Sequence, residues 1–383
     1  MVKFLLISGR EGLAVMGTER EMEAGAGRGA EEAPVNNPDP NEGRNGRYSR
    51  QIRFAPFGAE AQKRLGASSV LIVGAGALGA GMAETLARSG AGRLVLVDRD
   101  YVEWSNLQRQ QLYTEADARS RTPKAIAAKR RLMQLNSEIT VEAHVADARI
   151  EELEELLPGT DLILDATDNF DTRLILNDLA QKYRIPWIYS ACVGSYGITY
   201  TVIPGETPCL NCLLGTVPLG GDTCDTAGIL PQAVQLVAAH ATGEALKLLG
   251  GRREALRSQL LTFDMWRNEH QAFGVSSARK ASCPSCGDKR SYPYLSAGGV
   301  ERSEALCGRD TVQIRPAVRS SVPLEETANR LARLGAGRVE RNPYLVTYTE
   351  GACRIVIFAD GRALVHGTSD PAVARSLYHR YFG

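Results

Sequence analysis

Short apolar runs alternate with longer amphipathic stretches over most of the chain, and this alternation predicts an α/β fold. Continuous apolar runs such as residues 69–73 are typical of strands that are buried on both faces of a parallel sheet. The predicted strands are residues 69–73, 93–97, 140–146, 161–165, 187–191 and 198–203. The predicted helices are residues 80–89, 104–113, 122–135, 170–183 and 231–249. We therefore expect a mixed, mostly parallel sheet flanked by helices.

The pattern changes near both ends of the chain. Residues 1–47 contain a stretch rich in Gly, Ala, Glu, Asn and Pro without a hydrophobic period, which predicts a disordered extension. Residues 48–309 carry the α/β pattern, and residues 310–383 predict a small α+β domain. The strands expected there are residues 311–315, 344–349, 354–358 and 362–366, and the helices are residues 323–334 and 370–381.

Composition and charge narrow the class of protein. The 383 residues include 45 Lys and Arg against 44 Asp and Glu, a formal net charge of +1, which argues against a basic nucleic-acid-binding body. The apolar start, residues 1–7, is too short for a signal-peptide core, and no run is long enough to span a membrane. We therefore expect a cytoplasmic protein, in which paired cysteines are more often metal ligands or catalytic groups than disulfides.

A glycine loop follows the first predicted strand and predicts a Rossmann-like nucleotide site. Gly74 permits a tight turn, Gly76 lets the backbone approach a phosphate, and Gly79 allows close contact between helix and strand. Asp98 ends the next strand, where its carboxylate can accept hydrogen bonds from ribose hydroxyls. This pattern leaves NAD, FAD, SAM and ATP open, and a purely structural glycine turn is the alternative.

Charged residues beyond Asp98 favour a nucleoside triphosphate over a dinucleotide. Asn106 and Arg109 share one face of a predicted helix, and Lys124 lies in the first turn of the next one. Asp168 follows a predicted strand end. Arg and Lys can neutralise phosphates while a carboxylate holds Mg²⁺, although solvated surface positions are the alternative for Arg109 and Lys124.

Two cysteine pairs predict a structural zinc site. Cys209 and Cys212 form one Cys-x-x-Cys knuckle, and Cys283 and Cys286 form another far along the chain. Four thiolates at these spacings suit tetrahedral Zn²⁺ and leave no coordination position open for catalysis. Free or redox-active pairs are the alternative.

From residue 48 to residue 290 the chain resembles the ThiF/MoeB/HesA adenylyltransferases, which are relatives of ubiquitin-activating enzymes. The resemblance rests on ordered motifs and on the paired knuckles. These motifs are Tyr48-Ser-Arg-Gln-Ile52, Gly74-Ala-Gly-Ala-Leu-Gly79, Val97-Asp98, Ser105-Asn-Leu-Gln-Arg-Gln110, Thr122-Pro-Lys124 and Asp165-Ala-Thr-Asp-Asn169.

The resemblance implies a reaction and a set of site residues. The enzyme would bind ATP with Mg²⁺ and adenylylate the C-terminal glycine carboxylate of a ubiquitin-like sulfur carrier. Asp98 would hold the ribose, and Asp168 would hold Mg²⁺. The triphosphate would be held by Asn106, Arg109, Gln110 and Lys124.

Two further residues are implied by the same resemblance. Arg50 matches an arginine that the family inserts into the site of the other protomer, so the homodimer would be the catalytic unit. Cys224 matches a loop cysteine that can form a thioester or acyl-disulfide with the activated carrier. An internal salt bridge for Arg50 and an incidental loop thiol for Cys224 are the alternatives.

Within this family, the sequence after Cys224 and the C-terminal domain resemble the ThiF branch, whose carrier is ThiS of thiamin thiazole synthesis. The same reaction on MoaD, the small subunit of molybdopterin synthase, is an alternative. The C-terminal domain does not resemble a rhodanese, so sulfur would come from a partner such as a cysteine desulfurase. From other classes, an NAD-dependent oxidoreductase or a non-catalytic zinc-stapled scaffold that binds a ubiquitin-like protein also remain possible.

Overall fold

The computed structural model describes residues 44–214, 227–296, 302–305, 310–315 and 321–382. Its helices are α1 (Arg44–Arg47), α2 (Ser49–Arg53), α3 (Gly58–Ala67), α4 (Ala77–Ser89), α5 (Glu115–Arg119), α6 (Lys124–Leu135), α7 (Ile150–Leu156), α8 (Phe170–Tyr183), α9 (Leu210–Leu213), α10 (Pro231–Leu249), α11 (Leu324–Arg333) and α12 (Pro371–Phe382). Its strands are β1 (Ser69–Val73), β2 (Arg93–Asp98), β3 (Thr140–Val145), β4 (Leu162–Asp165), β5 (Trp187–Val193), β6 (Tyr196–Val202), β7 (Gln259–Asp264), β8 (Glu269–Gly274), β9 (Arg302–Ala305), β10 (Thr311–Arg315), β11 (Arg338–Arg341), β12 (Leu345–Glu350), β13 (Cys353–Phe358) and β14 (Ala363–His366).

The larger sheet has the strand order β3-β2-β1-β4-β5-β6-β7-β8. Strands β1 to β5 are parallel to one another, and β6 to β8 continue the sheet as antiparallel neighbours. Side chains of β1 alternate between two cores: Val70 and Ile72 pack with α4, α6 and α10, while Leu71 and Val73 pack with α8 and the cysteine knuckles. The predicted mixed, mostly parallel α/β fold is confirmed.

The strand order places a crevice at one edge of this sheet. The chain passes from β1 outward to β2 and β3, then returns to β4 on the other side of β1. Ligands of open α/β sheets bind at such a reversal, beyond the carboxyl ends of the strands. The segments that leave β1, β2 and β4 carry the glycine loop, Asp98 and Asp168 respectively, so the fold brings the predicted nucleotide-binding segments to one edge.

The C-terminal domain is a six-stranded antiparallel sheet of order β11-β12-β13-β14-β10-β9. Helices α11 and α12 pack on one face, and the other face contacts the larger domain through Leu345, Phe358 and Leu364 around Tyr101. Because β9 pairs with β10, this domain begins before residue 310, where the sequence placed its boundary.

Several elements differ from their predictions. The expected helix over residues 104–113 is a single 3₁₀ turn, Trp104–Asn106, and α6 begins at Lys124 with Pro123 before it, so Thr122 is not its N-cap. Residues 44–47, expected to end a disordered extension, form α1. Five further elements were not predicted, namely α5, α7, α9, β9 and β11, and neither was the β7–β8 hairpin. Among the described helices, none is long and apolar enough to cross a membrane.

Candidate active site

The glycine loop is shaped by contacts that exclude side chains at two positions. Gly74 has φ +95°, and a Cβ there would lie 2.6 Å from the Ala166 carbonyl oxygen. A Cβ on Gly79 would lie 1.8 Å from the Gly74 carbonyl oxygen, so α4 packs against the loop itself. At Gly76, by contrast, a Cβ would meet only Gln110 Nε2, at 4.0 Å. The N-terminus of α4 is therefore open at Gly76, where the sequence predicts a phosphate.

Asp98 joins the glycine loop to the segment that follows β2. Its carboxylate accepts a hydrogen bond from the Ala75 N–H at 2.6 Å and another from the Asp100 N–H at 2.7 Å. The residue is 9% exposed, and burial raises the pKa of its carboxyl while the charge of Lys124 opposes that rise. A carboxylate has about four lone-pair positions, so acceptor capacity remains for a ribose hydroxyl.

Lys124 is held against the same segment. Its Nζ lies 3.1 Å from Asp100 Oδ2, and its backbone N–H donates to the Asp100 carbonyl at 2.9 Å. The side chain is buried, so the solvated-surface alternative for Lys124 is wrong. Sequence reasoning missed Asp100, although a second carboxylate close after a strand end was the available signal.

Two buried amides follow β2, and one of them, Gln110, lies beside Gly76 of the glycine loop. Asn106 is 1% exposed and accepts from the Glu103 N–H through Oδ1, while its Nδ2 has no hydrogen-bond partner among the described residues. Gln110 is also buried, and within the same described part its Oε1 has no partner. Buried amide groups are almost always paired, so these two atoms point to a ligand or to water. Arg109 is partly exposed and donates to the Ser105 carbonyl at 2.7 Å.

Asp168 is exposed at the end of the loop that leaves β4. Burial lowers the pKa of Arg99, but the charges of Asp100, Asp147 and Asp168, in decreasing order of effect, raise it above its ordinary value. The loop is held from inside by Asp165, a fully buried carboxylate that accepts from the Thr167 N–H at 2.9 Å. Arg173 lies 3.5 Å from that carboxylate and donates to the Thr167 carbonyl at 2.7 Å. Asp165 is thus buried and paired with Arg173, so of the two carboxylates in this loop only Asp168 is accessible to a cation. Sequence reasoning missed Arg173.

Arg50 lies away from the site of its own chain. Its neighbour Gln51 donates to the Ser89 carbonyl at 3.1 Å, which places α2 beside the C-terminal end of α4. The glycine loop lies at the other end of α4, and thirteen residues of helix separate the two ends by about 18 Å. Arg50 is exposed. The structure therefore does not bring Arg50 together with the other predicted site residues.

The four knuckle cysteines converge in one buried cluster. Their sulfur atoms all lie within 4.8 Å of one another, with 3.9 Å between Cys209 and Cys212, 3.6 Å between Cys209 and Cys283 and 3.4 Å between Cys212 and Cys286. Tetrahedral zinc with bonds of about 2.3 Å would hold its sulfurs about 3.8 Å apart. The cluster can therefore hold a metal ion of that geometry.

Neighbouring groups fix the two knuckles. Asn177 accepts from the Leu210 N–H at 2.8 Å, and Asp178 accepts from the Tyr294 N–H at 3.0 Å, so α8 orients both loops. Both side chains are fully buried. A Cβ on Gly287 would lie 2.3 Å from the Ala281 carbonyl oxygen, so the second knuckle needs glycine there. Sequence spacing gave no signal for Asn177 or Asp178.

The remaining cysteines divide as follows. Cys224 and Cys307 lie outside the described residues. Cys192 is buried in the core beside α10, and Cys353 is half-buried at the start of β13. Neither of these two belongs to the four-cysteine cluster.

Comparison with known proteins finds a family and relatives that this chain resembles. Residues 48–285 match the ThiF family. The chain is 50% identical over 338 residues to the sulfur carrier protein ThiS adenylyltransferase of Bacillus subtilis, covering 88% of this chain and 99% of that protein. It is 37% identical over 269 residues to the sulfur carrier protein adenylyltransferase of Thermus thermophilus, covering 68% of this chain and 96% of that protein.

A solved structure shares the fold. The crystal structure of E. coli MccB with ATP superposes with a TM-score of 0.55 over 64% of this chain and 75% of that chain, at 24% sequence identity. At this identity the likeness concerns the fold alone.

Proposed function

Because the chain belongs to the ThiF family, we propose that it adenylylates the C-terminal glycine carboxylate of a ubiquitin-like sulfur carrier. The observation that carries this proposal is the convergence of the open α4 N-terminus, Asp98, Lys124 and two buried amides at the sheet reversal. The 50% identity to a ThiS adenylyltransferase extends over the C-terminal domain as well, since it covers 88% of the chain. An NAD-dependent oxidoreductase would account for the α4 N-terminus and Asp98 but not for the buried Lys124 or for this identity, and a non-catalytic scaffold would account for neither feature.

In the proposed reaction, an oxygen of the carrier's terminal carboxylate attacks the α-phosphorus of ATP. A new P–O bond forms while the bond between the α-phosphorus and the bridging oxygen breaks. The electron pair leaves with pyrophosphate, and the carrier is left as an acyl-adenylate. No oxidation occurs, so the catalytic task is to position two anions and to neutralise the charge that develops between them.

The site residues divide this task between them. Asp98 accepts from the ribose, while the N–H groups at the start of α4 face the phosphates, which the helix dipole also favours. Lys124 carries a buried positive charge beside the triphosphate, and Arg109 adds a second one at the partly exposed edge. Asn106 Nδ2 donates to a phosphate oxygen, and the amide of Gln110 closes the site opposite Gly76.

Two metal ions complete the proposal. Asp168, as the accessible carboxylate of the β4 loop, would hold Mg²⁺, which would neutralise charge on the phosphates. The four-cysteine cluster would hold Zn²⁺, which cross-links the α9 knuckle to the segment that carries Cys283 and Cys286. Four thiolates whose sulfur atoms lie within 4.8 Å of one another repel each other, so they need a cation to be stable.

Arg50 acts in a second copy of the chain. Its position at the far end of α4 prevents it from reaching its own triphosphate, because an arginine side chain is much shorter than the roughly 18 Å of the helix. Its exposure leaves it free to enter a partner's site. The homodimer is then the catalytic unit, with Arg50 as a finger that stabilises charge on the phosphates in trans.

The carrier is of the ThiS type, since the relative that matches over 88% of this chain is a ThiS adenylyltransferase. The outer sulfur of a persulfide then attacks the carrier's carbonyl carbon and AMP leaves, giving an acyl-disulfide. A second thiol attacks the inner sulfur of that disulfide, so that a new disulfide forms and the carrier leaves as a thiocarboxylate. The transferred sulfur comes from a partner such as a cysteine desulfurase, and Cys224 is the candidate thiol for the transfer. The reaction belongs to the cytoplasm, where ATP and reduced thiols coexist.

The test is ATP–pyrophosphate exchange with purified carriers. The full chain is assayed with a ThiS-like carrier, a MoaD-like carrier and a ThiS-like carrier that lacks its terminal glycine. We expect exchange that depends on the ThiS-like carrier and is lost with the shortened one. Exchange with the MoaD-like carrier alone would reverse the choice of carrier, and exchange with neither carrier would contradict the activation reaction.

A further inference from the structure

The C-terminal domain contacts the larger domain at the segment that leaves β2, which we call the β2 exit loop (residues 99–103). This loop begins directly after Asp98, whose carboxylate is bonded to the Asp100 N–H. It also carries Asp100, which holds Lys124 through both its carboxylate and its carbonyl group. The geometry of the proposed ribose and phosphate groups therefore depends on the conformation of this loop.

Arg362 of the C-terminal domain binds the backbone of the loop. Its Nη1 donates to the Arg99 carbonyl at 3.1 Å. The guanidinium is also held by Asp360, to which Nε donates at 2.6 Å, and it lies 4.4 Å from the centre of the Phe358 ring, while Nη2 has no hydrogen-bond partner among the described residues. Arg362 is 2% exposed, so this contact is shielded from water.

Two further contacts join the C-terminal domain to the same loop. The Tyr101 hydroxyl lies 3.0 Å from His366 Nε2, and Glu103 accepts from Arg354 at 3.0 Å. His366 is fixed in turn through Nδ1, which lies 2.9 Å from the Thr311 hydroxyl. Residues from β10, β13, β14 and the β13–β14 turn thus hold three places along the five-residue loop.

The segment before Lys124 is held as well. Asn342 Nδ2 donates to the carbonyl groups of Ser120 and Arg121 at 3.0 and 3.2 Å, and Arg121 forms an ion pair with Glu340. Arg121 has φ +47°, a backbone conformation that L residues rarely adopt and that surrounding contacts must maintain. Both chain segments that position Lys124 therefore contact the C-terminal domain.

We propose that the C-terminal domain is a positioning element of the adenylylation site, and that Arg362 is its main positioning residue. This inference rests on the proposed function. By fixing the Arg99 carbonyl, Arg362 keeps the exit loop in the conformation that sets Asp98 toward the ribose and Asp100 toward Lys124. Loss of that contact loosens the binding of ATP more than it slows the chemical step, because Arg362 contacts the backbone of the exit loop and acts on the site only through that loop.

The test compares variants of the full chain in ATP–pyrophosphate exchange. For Arg362→Ala we expect the KM for ATP to rise about fivefold or more with kcat little changed, since a buried charged hydrogen bond is lost. Arg362→Lys, which retains a cationic donor, should recover part of that rise. Arg330→Ala is the matched control, because Arg330 also lies over a phenylalanine, Phe382, but on the face away from the exit loop.

A second readout reports on Asp98 directly. In the wild-type chain, 2′-deoxy-ATP and 3′-deoxy-ATP should have a higher KM than ATP, and this penalty should shrink in Arg362→Ala. If Arg362→Ala fails to fold, Tyr101→Phe removes only the hydroxyl that meets His366 and should raise the KM for ATP by a smaller factor, about two- to threefold.

The inference is overturned if Arg362→Ala retains the wild-type KM, or if kcat falls while the KM and the deoxy penalty stay unchanged, which is the signature of a merely smaller folded fraction. If the wild-type chain shows no carrier-dependent exchange, the proposed function has failed, and the equilibrium Kd for ATP of the same variants decides the positioning role. A wild-type chain that does not bind ATP overturns both.

Discussion

The contact between Gly79 and Gly74 gives a sharp test of how the glycine loop is built. A Cβ added at Gly79 would lie 1.8 Å from the Gly74 carbonyl oxygen and 2.9 Å from its carbon, both of which are backbone atoms. Carbon atoms normally approach other heavy atoms to roughly 3.5–4.0 Å. In Gly79→Ala, α4 must therefore move away from the loop by about 1.7 Å or more to restore an ordinary contact.

Two effects follow from that displacement. Overpacking of this kind lowers the free energy of unfolding by about 1–3 kcal/mol, whereas the higher helix propensity of alanine raises it by only about 1 kcal/mol. The N-terminus of α4 also leaves its place beside the proposed phosphate site, and misplacement by about 1 Å can cost about 100-fold in rate. Exchange activity should therefore fall much more steeply than stability.

Gly243→Ala is the matched control, since Gly243 is also a helical glycine but a Cβ there would meet no heavy atom within 4 Å. It should raise the free energy of unfolding by about 0.5–1 kcal/mol and leave exchange unchanged. Urea unfolding and ATP–pyrophosphate exchange measure both quantities. Gly79→Ala with wild-type exchange would refute the account of the loop, as would an equal loss of activity in Gly243→Ala.

The other predictions concern the metals, the dimer and the thiol. Cys286→Ser should lower the zinc bound per chain and the unfolding temperature; unchanged zinc in metal analysis would contradict the four-cysteine site. Asp168→Ala should abolish exchange without changing the unfolding temperature, because the side chain is exposed; near-normal exchange would remove its proposed Mg²⁺ role. Chains carrying Arg50→Ala and Lys124→Ala should each be inactive, yet recover about a quarter of the activity when mixed dimers form, whereas no recovery would place Arg50 in cis. Cys224→Ser should retain adenylylation and lose thiocarboxylate formation, and full formation would show that the thiol is dispensable.

Much of the fold could be predicted from local sequence patterns. The strand, glycine loop, helix and second strand from Ser69 to Asp98 are all visible in the sequence, because buried parallel strands are continuously apolar and the turn needs glycine. The β7–β8 hairpin was not predicted because every residue of β8 is exposed. A strand without a buried face lacks the alternation of apolar and polar residues that predicts a strand. The helix expected over residues 104–113 failed because tertiary contacts, not periodicity, shape that segment.

The sequence predicted site residues only where the residue type and spacing are themselves typical of one chemistry. The knuckle spacing predicted that four sulfurs converge, and the structure brings them together. Asp100 was signalled only by its position close after a strand end, and Arg362 gave no signal, since their roles arise from contacts between segments that are distant in sequence. The position of Arg50 at the far end of α4 is likewise a product of tertiary packing, which no motif encodes.

The most direct measurement is the intact mass of the carrier after incubation with this chain, ATP, Mg²⁺ and pyrophosphatase. The account predicts that a ThiS-like carrier gains one AMP at its terminal glycine, that a carrier without this glycine gains none, and that AMP is released as the adduct is hydrolysed. Absence of the adduct, or equal labelling of the shortened carrier, would contradict the account.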